Sequence, residues 1–247
     1  MKAFIYTLRV IAAVAVGLVG LAAVFWIVRG LLQRPPITTV VVLRDVTDTF
    51  GAQPEVGEIL ELFDRSAAGR WNGAHLLAST VTDVSYNRVA EVKLNPASKW
   101  LSNELQRGKD VVQFEADVVK IIELVSGDTA GRSHSSVYRA VALQLVRLNK
   151  DPAARRVLVV YSDLMENSAD LSMYDAATFQ ALQTDPGSVA ALLEQQEPLP
   201  SLEGIDVHLV HQPTDAVTDK QYRVVSGFYR QLLESKGATV HISANLN

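Results

Sequence analysis

The hydrophobic positions of this chain fall into three rhythms, each predicting a different kind of element. Residues 10–28 (VIAAVAVGLVGLAAVFWIV) run for nineteen positions without a charge or a strongly polar side chain. As a helix, such a run rises ~28 Å, close to the hydrocarbon thickness of a bilayer. A helix packed on a protein core would show a polar stripe, and this one shows none. The competing reading is a cleaved signal peptide with Lys2 and Arg9 as its charged start. Against it, the run is longer than a signal core and ends in Phe25-Trp26-Ile27-Val28-Arg29, without a small-residue cleavage site. The pattern predicts one uncleaved transmembrane helix, with Trp26 at an interface and Arg9 and Arg29 at the headgroups. Arg34-Pro35-Pro36 then forms a stiff extended spacer. Residues 1–36 are thus expected to be anchor and spacer, and residues 37–247 one folded domain.

Beyond the spacer, short β-branched runs predict buried strands at 37–43 (ITTVVVL), 156–161 (RVLVVY), 205–211 and 239–243. Residues 74–82 and 88–94 read as strands separated by the turn-prone 83–87, a hairpin that introduces one antiparallel strand. Helical spacing occurs at 54–65, where Val56, Ile59, Leu60 and Phe63 share a face. It recurs at 114–125, 136–148 and 220–236, the last ending at Gly237. Residues 164–203 read as a polar, irregular insertion with short helices near 176–182 and 188–194. This order predicts an α/β fold: a doubly wound, mostly parallel six-stranded sheet with one antiparallel edge strand and helices on both faces. Ligands of such sheets bind beyond the carboxyl ends of the strands, where the strand order reverses.

Composition narrows the function. The 23 basic and 27 acidic residues give a net charge of -4. Four of the basic residues and none of the acidic ones lie in residues 1–36, so the remainder carries 19 against 27, a net of -8. There is no basic stripe for nucleic acid. The absence of cysteine excludes disulfides, zinc-thiolate sites and thiol catalysis. No Gly-x-Gly-x-x-Gly follows the first strand, so a dinucleotide phosphate cradle is missing.

Candidate chemistry gathers where strands end. The first strand runs into Asp45-Val46-Thr47-Asp48-Thr49, and on an extended strand end Asp45, Thr47 and Thr49 would face one way. The loop 126–135 (SGDTAGRSHS) ends in Ser135 ahead of a helix, and the strand 156–161 ends in Ser162-Asp163. Hydroxyl and carboxylate oxygens on adjacent loops suit a hard divalent cation that keeps part of its water shell. Each feature also has an ordinary structural reading, as a turn or a helix N-cap. In this order, the three loops resemble the metal-ion-dependent adhesion site of von Willebrand factor A domains. Asp45-x-Thr47-x-Thr49 stands for the family's Asp-x-Ser-x-Ser, with threonine in both serine places. Ser135 stands for a threonine ahead of the central helix, and Asp163 for the aspartate after the fourth strand. The resemblance covers residues 38–243, but only the three loops are specific. It implies Asp45, Thr47, Thr49, Ser135 and Asp163 as metal ligands. Mg²⁺ would be the ion, with Mn²⁺ or Ca²⁺ as alternatives, and an acidic residue of a protein partner would complete its coordination.

Several neighbours remain open. Asp48 is either a further carboxylate of the motif or the cap of the next helix. His134 is either a ligand or general base, or a solvated loop residue. His208 and His211 face opposite ways on one strand, which argues against a paired metal site. Asp83-Val84-Ser85 repeats part of the motif in a hairpin turn, where such residues are expected anyway. The expectation is a single-pass, membrane-anchored protein-interaction module, not an enzyme, held in the bilayer by residues 10–28. Positive charge flanks the anchor equally, so a periplasmic or extracytoplasmic domain follows only from the usual behaviour of short amino-terminal anchors. The alternative is a metal-dependent hydrolase or phosphatase using Asp45. The loop superficially resembles the Asp-x-Asp-x-Thr of haloacid dehalogenase-like phosphatases, but its second aspartate is displaced by one residue onto the other strand face.

Overall fold

Strand β1 (Ile37–Asp45) is a continuous β-branched and aliphatic run because both of its faces are covered. It pairs in parallel with β2 (Gly73–Val81) on one side and with β4 (Arg155–Tyr161) on the other. In this computed structural model, which describes residues 17–22, 24, 25, 28, 35–47, 52–67, 69–81, 89–127 and 135–246, the sheet is completed by three further strands. β3 (Ala90–Leu94) lies antiparallel on β2, and β5 (Ile205–Val210) and β6 (Thr239–Ser243) continue in parallel beyond β4. The order is β3-β2-β1-β4-β5-β6, a doubly wound α/β sheet with its one antiparallel strand at the edge.

Alternation along the central strands divides the core in two. Val40 and Val42 of β1, with Val157, Val159 and Tyr161 of β4, pack beneath α1 (Val56–Glu61) and α2 (Glu104–Ser126). Val41 and Leu43, with Leu158 and Val160, face a larger layer. That layer comprises α3 (Val137–Asn149), α4 (Ala176–Thr184), α5 (Pro186–Gln196) and α6 (Ala216–Ser235).

Two helices begin earlier than their apolar spacing predicts. In α2, only Arg107 is buried ahead of Phe114, so the first turns carry no hydrophobic stripe; Asn103 starts them by accepting the N–H groups of Leu105 and Gln106. Asp215 and Thr218 form a reciprocal capping box that starts α6. Gly237 (φ 99°) ends α6 in the left-handed conformation a side chain disfavours.

Segment 164–203, expected as a polar insertion, contributes Leu164, Met165, Met173, Leu182, Val189 and Leu193 to the larger core. It reads as polar because each of its short helices turns only one narrow side inward: Leu182 in α4, Val189 and Leu193 in α5.

Of the apolar run 10–28, residues 17–22, 24, 25 and 28 are helical with exposed side chains, while 10–16, 23, 26 and 27 lie outside the described residues. Among the described residues, no helix is long and apolar enough to cross a membrane.

Two buried arginines tie helix ends to the sheet. Arg44 donates to the carbonyls of Val125 and Ser126 at 2.7 and 2.8 Å, closing the carboxyl end of α2. At the opposite end of the sheet, Arg107 donates to the carbonyls of Arg70, Asn95 and Asn72 at 2.7, 2.7 and 2.6 Å, gathering the segment before β2 and the loop after β3 around one guanidinium.

Candidate functional site

The strand order reverses between β1 and β4, so the crevice at their carboxyl ends is where a doubly wound sheet receives a ligand. Arg44 pairs with Tyr161 across these strands, and the next residues along, Asp45 and Ser162, meet directly. Asp45 is almost fully buried. Its Oδ1 accepts the Thr47 N–H at 2.9 Å and the Thr47 hydroxyl at 2.6 Å, and its Oδ2 accepts the Ser162 hydroxyl at 2.9 Å.

The first pair of contacts makes an Asx-turn, so β1 ends at Asp45 and Thr47 lies in a bend instead of the extended continuation expected from alternation. The carboxylate outcompetes a further strand step because it satisfies the Thr47 N–H locally. Thr49, Asp48, His134 and Asp83 all lie outside the described residues.

Ser162 is a strut. Its hydroxyl hydrogen goes to Asp45, and its oxygen accepts the Leu164 N–H at 2.8 Å. The half-exposed Asp163 accepts the Met165 N–H at 2.9 Å through Oδ1. Between them, the buried Leu164 adopts φ 63°, a left-handed conformation that costs about 1–2 kcal/mol for a residue with a Cβ. Strain of this kind persists only where the surroundings over-determine it. Here the flanking hydrogen bonds and the burial of Leu164 do so.

Ser135 reaches the same rim. Its backbone exchanges hydrogen bonds with Asn167 (Ser135 N–H to Asn167 O, 3.1 Å; Asn167 N–H to Ser135 O, 3.0 Å). The loop ahead of α3 and the loop after β4 are thus stitched together. The Ser135 side chain is buried, and its hydroxyl points at the Met165 carbonyl across a long 3.5 Å. Ser136, not Ser135, occupies the N-cap position of α3, and it makes no side-chain cap bond.

That cap comes from a residue the sequence did not single out. Glu166 is 1% exposed, and its Oε2 accepts the Tyr138 N–H at 2.8 Å, placing a carboxylate on the amino-terminal turn of α3. Its Oε1 is enclosed and has no hydrogen-bond partner among the described residues. Burial pushes this carboxyl up to about 7; the Tyr138 N–H, the Ser168 hydroxyl and the Val137 N–H oppose the rise, and the nearby Asp45 adds a small further push. The Tyr229 hydroxyl is likewise enclosed without a partner among the described residues; burial, then the nearby Glu166, raises it well above its ordinary value. Tyr229→Phe is therefore expected to be neutral or stabilising by about 1 kcal/mol, read as an unchanged or higher thermal midpoint. A clear loss of stability would show that the hydroxyl has a partner.

The two histidines of the fifth strand region lie apart. His208 stacks on His241 of β6 with centroids 4.7 Å apart, while His211 packs on Tyr222 of α6, also at 4.7 Å. Burial, followed by His241, holds His208 down to about 4.

Among the described residues, no three His, Cys, Asp or Glu side chains cluster as a metal site. A cation here would therefore rest on hydroxyls as well as carboxylates. The donor set fits a hard ion. The Thr47 hydroxyl gives its hydrogen to Asp45, which leaves its lone pairs to face outward, and Thr47 and Asp163 are both half-exposed. Asp45 and Ser162 sit behind them as orienting groups. Ser135 lies deeper, facing a carbonyl. No protein-family model matches the chain, nor does any curated protein sequence.

Proposed function

We propose that the chain is a membrane-anchored, von Willebrand factor A-like interaction module that captures a protein partner through a divalent cation at the carboxyl rim of its sheet. One observation carries this reading: at the point where strand order reverses, Asp45 holds the hydroxyls of Thr47 and Ser162 beside Asp163. Thr47 and Asp163 would hold the ion, with Asp45 behind them and Thr49 and Ser135 as further candidates from the resemblance. When bound, a cation of this kind supplies an electrophilic position for a partner's carboxylate. Asp45 fixes the direction of the Thr47 lone pairs, and the strained Leu164 fixes the approach of Asp163. The anchor part of the proposal is supported by the uncharged run 10–28 and by the exposed apolar side chains of its described helical residues. The usual behaviour of such anchors places the domain outside the cytoplasm.

The test is Mg²⁺ titration of the full chain in detergent. Mg²⁺ at about one hundred times its Kd should stabilise the fold by about 2.7 kcal/mol and raise the unfolding midpoint. Asp45→Asn and Thr47→Val should abolish the rise. An unchanged midpoint in the unaltered protein would end the metal reading. Turnover of phosphate esters that Asp45→Asn abolishes would replace it with a hydrolase.

A further inference from the structure

The end of the sheet opposite the rim carries a surface that neither core nor site explains. The Pro36 carbonyl accepts the Gly73 N–H at 2.9 Å, which pins the entry of the chain into β1 against the start of β2. The Trp71 carbonyl accepts the Ala97 N–H at 2.9 Å, which brings the loop between β3 and α2 to that same end. On this loop and the first turn of α2, Trp100, Leu101 and Leu105 are 77%, 75% and 80% exposed. Lys99 and Lys109 stand exposed beside them, as do Glu104, which pairs with Arg70 at 2.9 Å, and Asp110. Single exposed leucines need no explanation, whereas three large apolar side chains within six residues form a patch.

We propose that this patch is a bilayer-docking surface, on which Trp100, Leu101 and Leu105 enter the interfacial layer while Lys99 and Lys109 meet the lipid phosphates. The proposal rests on the reading of residues 10–28 as the anchor. Eight residues, 29–36, separate that run from β1, and fully extended they reach no more than ~29 Å. The two prolines at its end stiffen this short leash. The end of the sheet bearing the patch is therefore kept within ~29 Å of the bilayer surface, where a weak apolar contact is favoured by its high effective concentration. Tryptophan suits this layer because its ring is apolar and its N–H is polar. The domain's net charge of -8 gives no overall attraction to anionic lipid, and Glu104 and Asp110 offset Lys99 and Lys109 locally, so contact depends chiefly on the apolar side chains. Docking in this way would stand the sheet on its amino-terminal end. The nine residues of β1 would then raise the Asp45 rim ~30 Å above the membrane, facing away from it.

The cysteine-free chain allows a direct test with single-cysteine variants of the full protein. Leu101→Cys reports the patch, and Val217→Cys, exposed at the rim end where α6 begins, serves as the control. Each is labelled with an environment-sensitive fluorophore and reconstituted in phosphatidylcholine–phosphatidylglycerol vesicles, and flotation after alkaline washing reads the anchor separately. The expected result is blue-shifted emission at position 101 that brominated lipid quenches, water-like unquenched emission at 217, and loss of the blue shift when Trp100→Ser and Leu105→Ser are added. Flotation with position 101 water-like overturns docking and leaves the anchor standing. A blue shift that brominated lipid does not quench assigns the patch to a protein, a second copy included, and also overturns docking. Failure to float removes the anchor reading and the docking with it.

Discussion

Replacing Arg107 by alanine is expected to destabilise the domain by about 4 kcal/mol, because three backbone carbonyls lose a shared donor at once. Arg107 is 3% exposed and its hydrogen bonds go to carbonyls, with Asp110 one turn further along α2 adding a favourable charge. For a domain of about 200 residues, that loss should lower the thermal midpoint by roughly 8–16 °C. Arg107→Lys should recover only part of it, since an ammonium cannot reproduce the planar fork that meets Arg70, Asn95 and Asn72 together. A melt of the alanine variant within about 2 °C of the unaltered protein would show that water replaces the guanidinium at little cost. The same residue holds up the loop bearing Trp100, so the alanine variant should also weaken the patch.

Glu166→Gln should change how stability depends on pH. Burial pushes the folded carboxyl up to about 7, from 4.5 for the ordinary group. Its raised value means that the folded state keeps a proton the unfolded state has already lost. The corresponding stability is fully present below pH 4.5 and is lost as pH rises through about 7. The difference amounts to about 3 kcal/mol, with little solvent screening because the group is enclosed. Glutamine stays neutral, and its carbonyl can still accept the Tyr138 N–H. Relative to the unaltered protein, the variant should therefore gain stability steadily between pH 4.5 and about 7.5 and hold that gain above. Denaturant unfolding of both proteins across this range reads it. A gap that does not vary with pH would mean that Glu166 is already ionised at low pH, held by the amino-terminal turn of α3.

These expectations bear on the proposed rim. Glu166 caps α3, and its neighbour Asn167 is stitched to Ser135, so the loop after β4 is tied both to the first turn of α3 and to the residue two positions ahead of it.

Periodicity made much of the architecture legible. The unbroken run at 37–43 announced a central strand, and the turn-rich gap between two strands announced the one antiparallel pair. The capped starts of α2 and α6 were less visible, because Asn103 and Asp215 act before any apolar stripe appears. The segment 164–203 misled for a related reason: a helix that buries one or two residues looks polar in sequence while still belonging to a core.

The site divides along the same line. Asp45, Thr47 and Asp163, the residues of the proposed site, stand out in the chain because residues at strand ends advertise themselves by pattern, and so do the strands that bring Asp45 and Asp163 to one end. Ser162 and Glu166 do not. A hydroxyl that ties two loops, or a carboxylate enclosed on a distant helix's first turn, takes its role from partners that lie 117 and 28 residues away. Local sequence determined which segments form strands and helices, since hydrogen bonding and apolar spacing act over a few residues. Only tertiary packing decided which polar groups lost their water, and that loss sets the pH sensitivity of Glu166 and the geometry around Asp45.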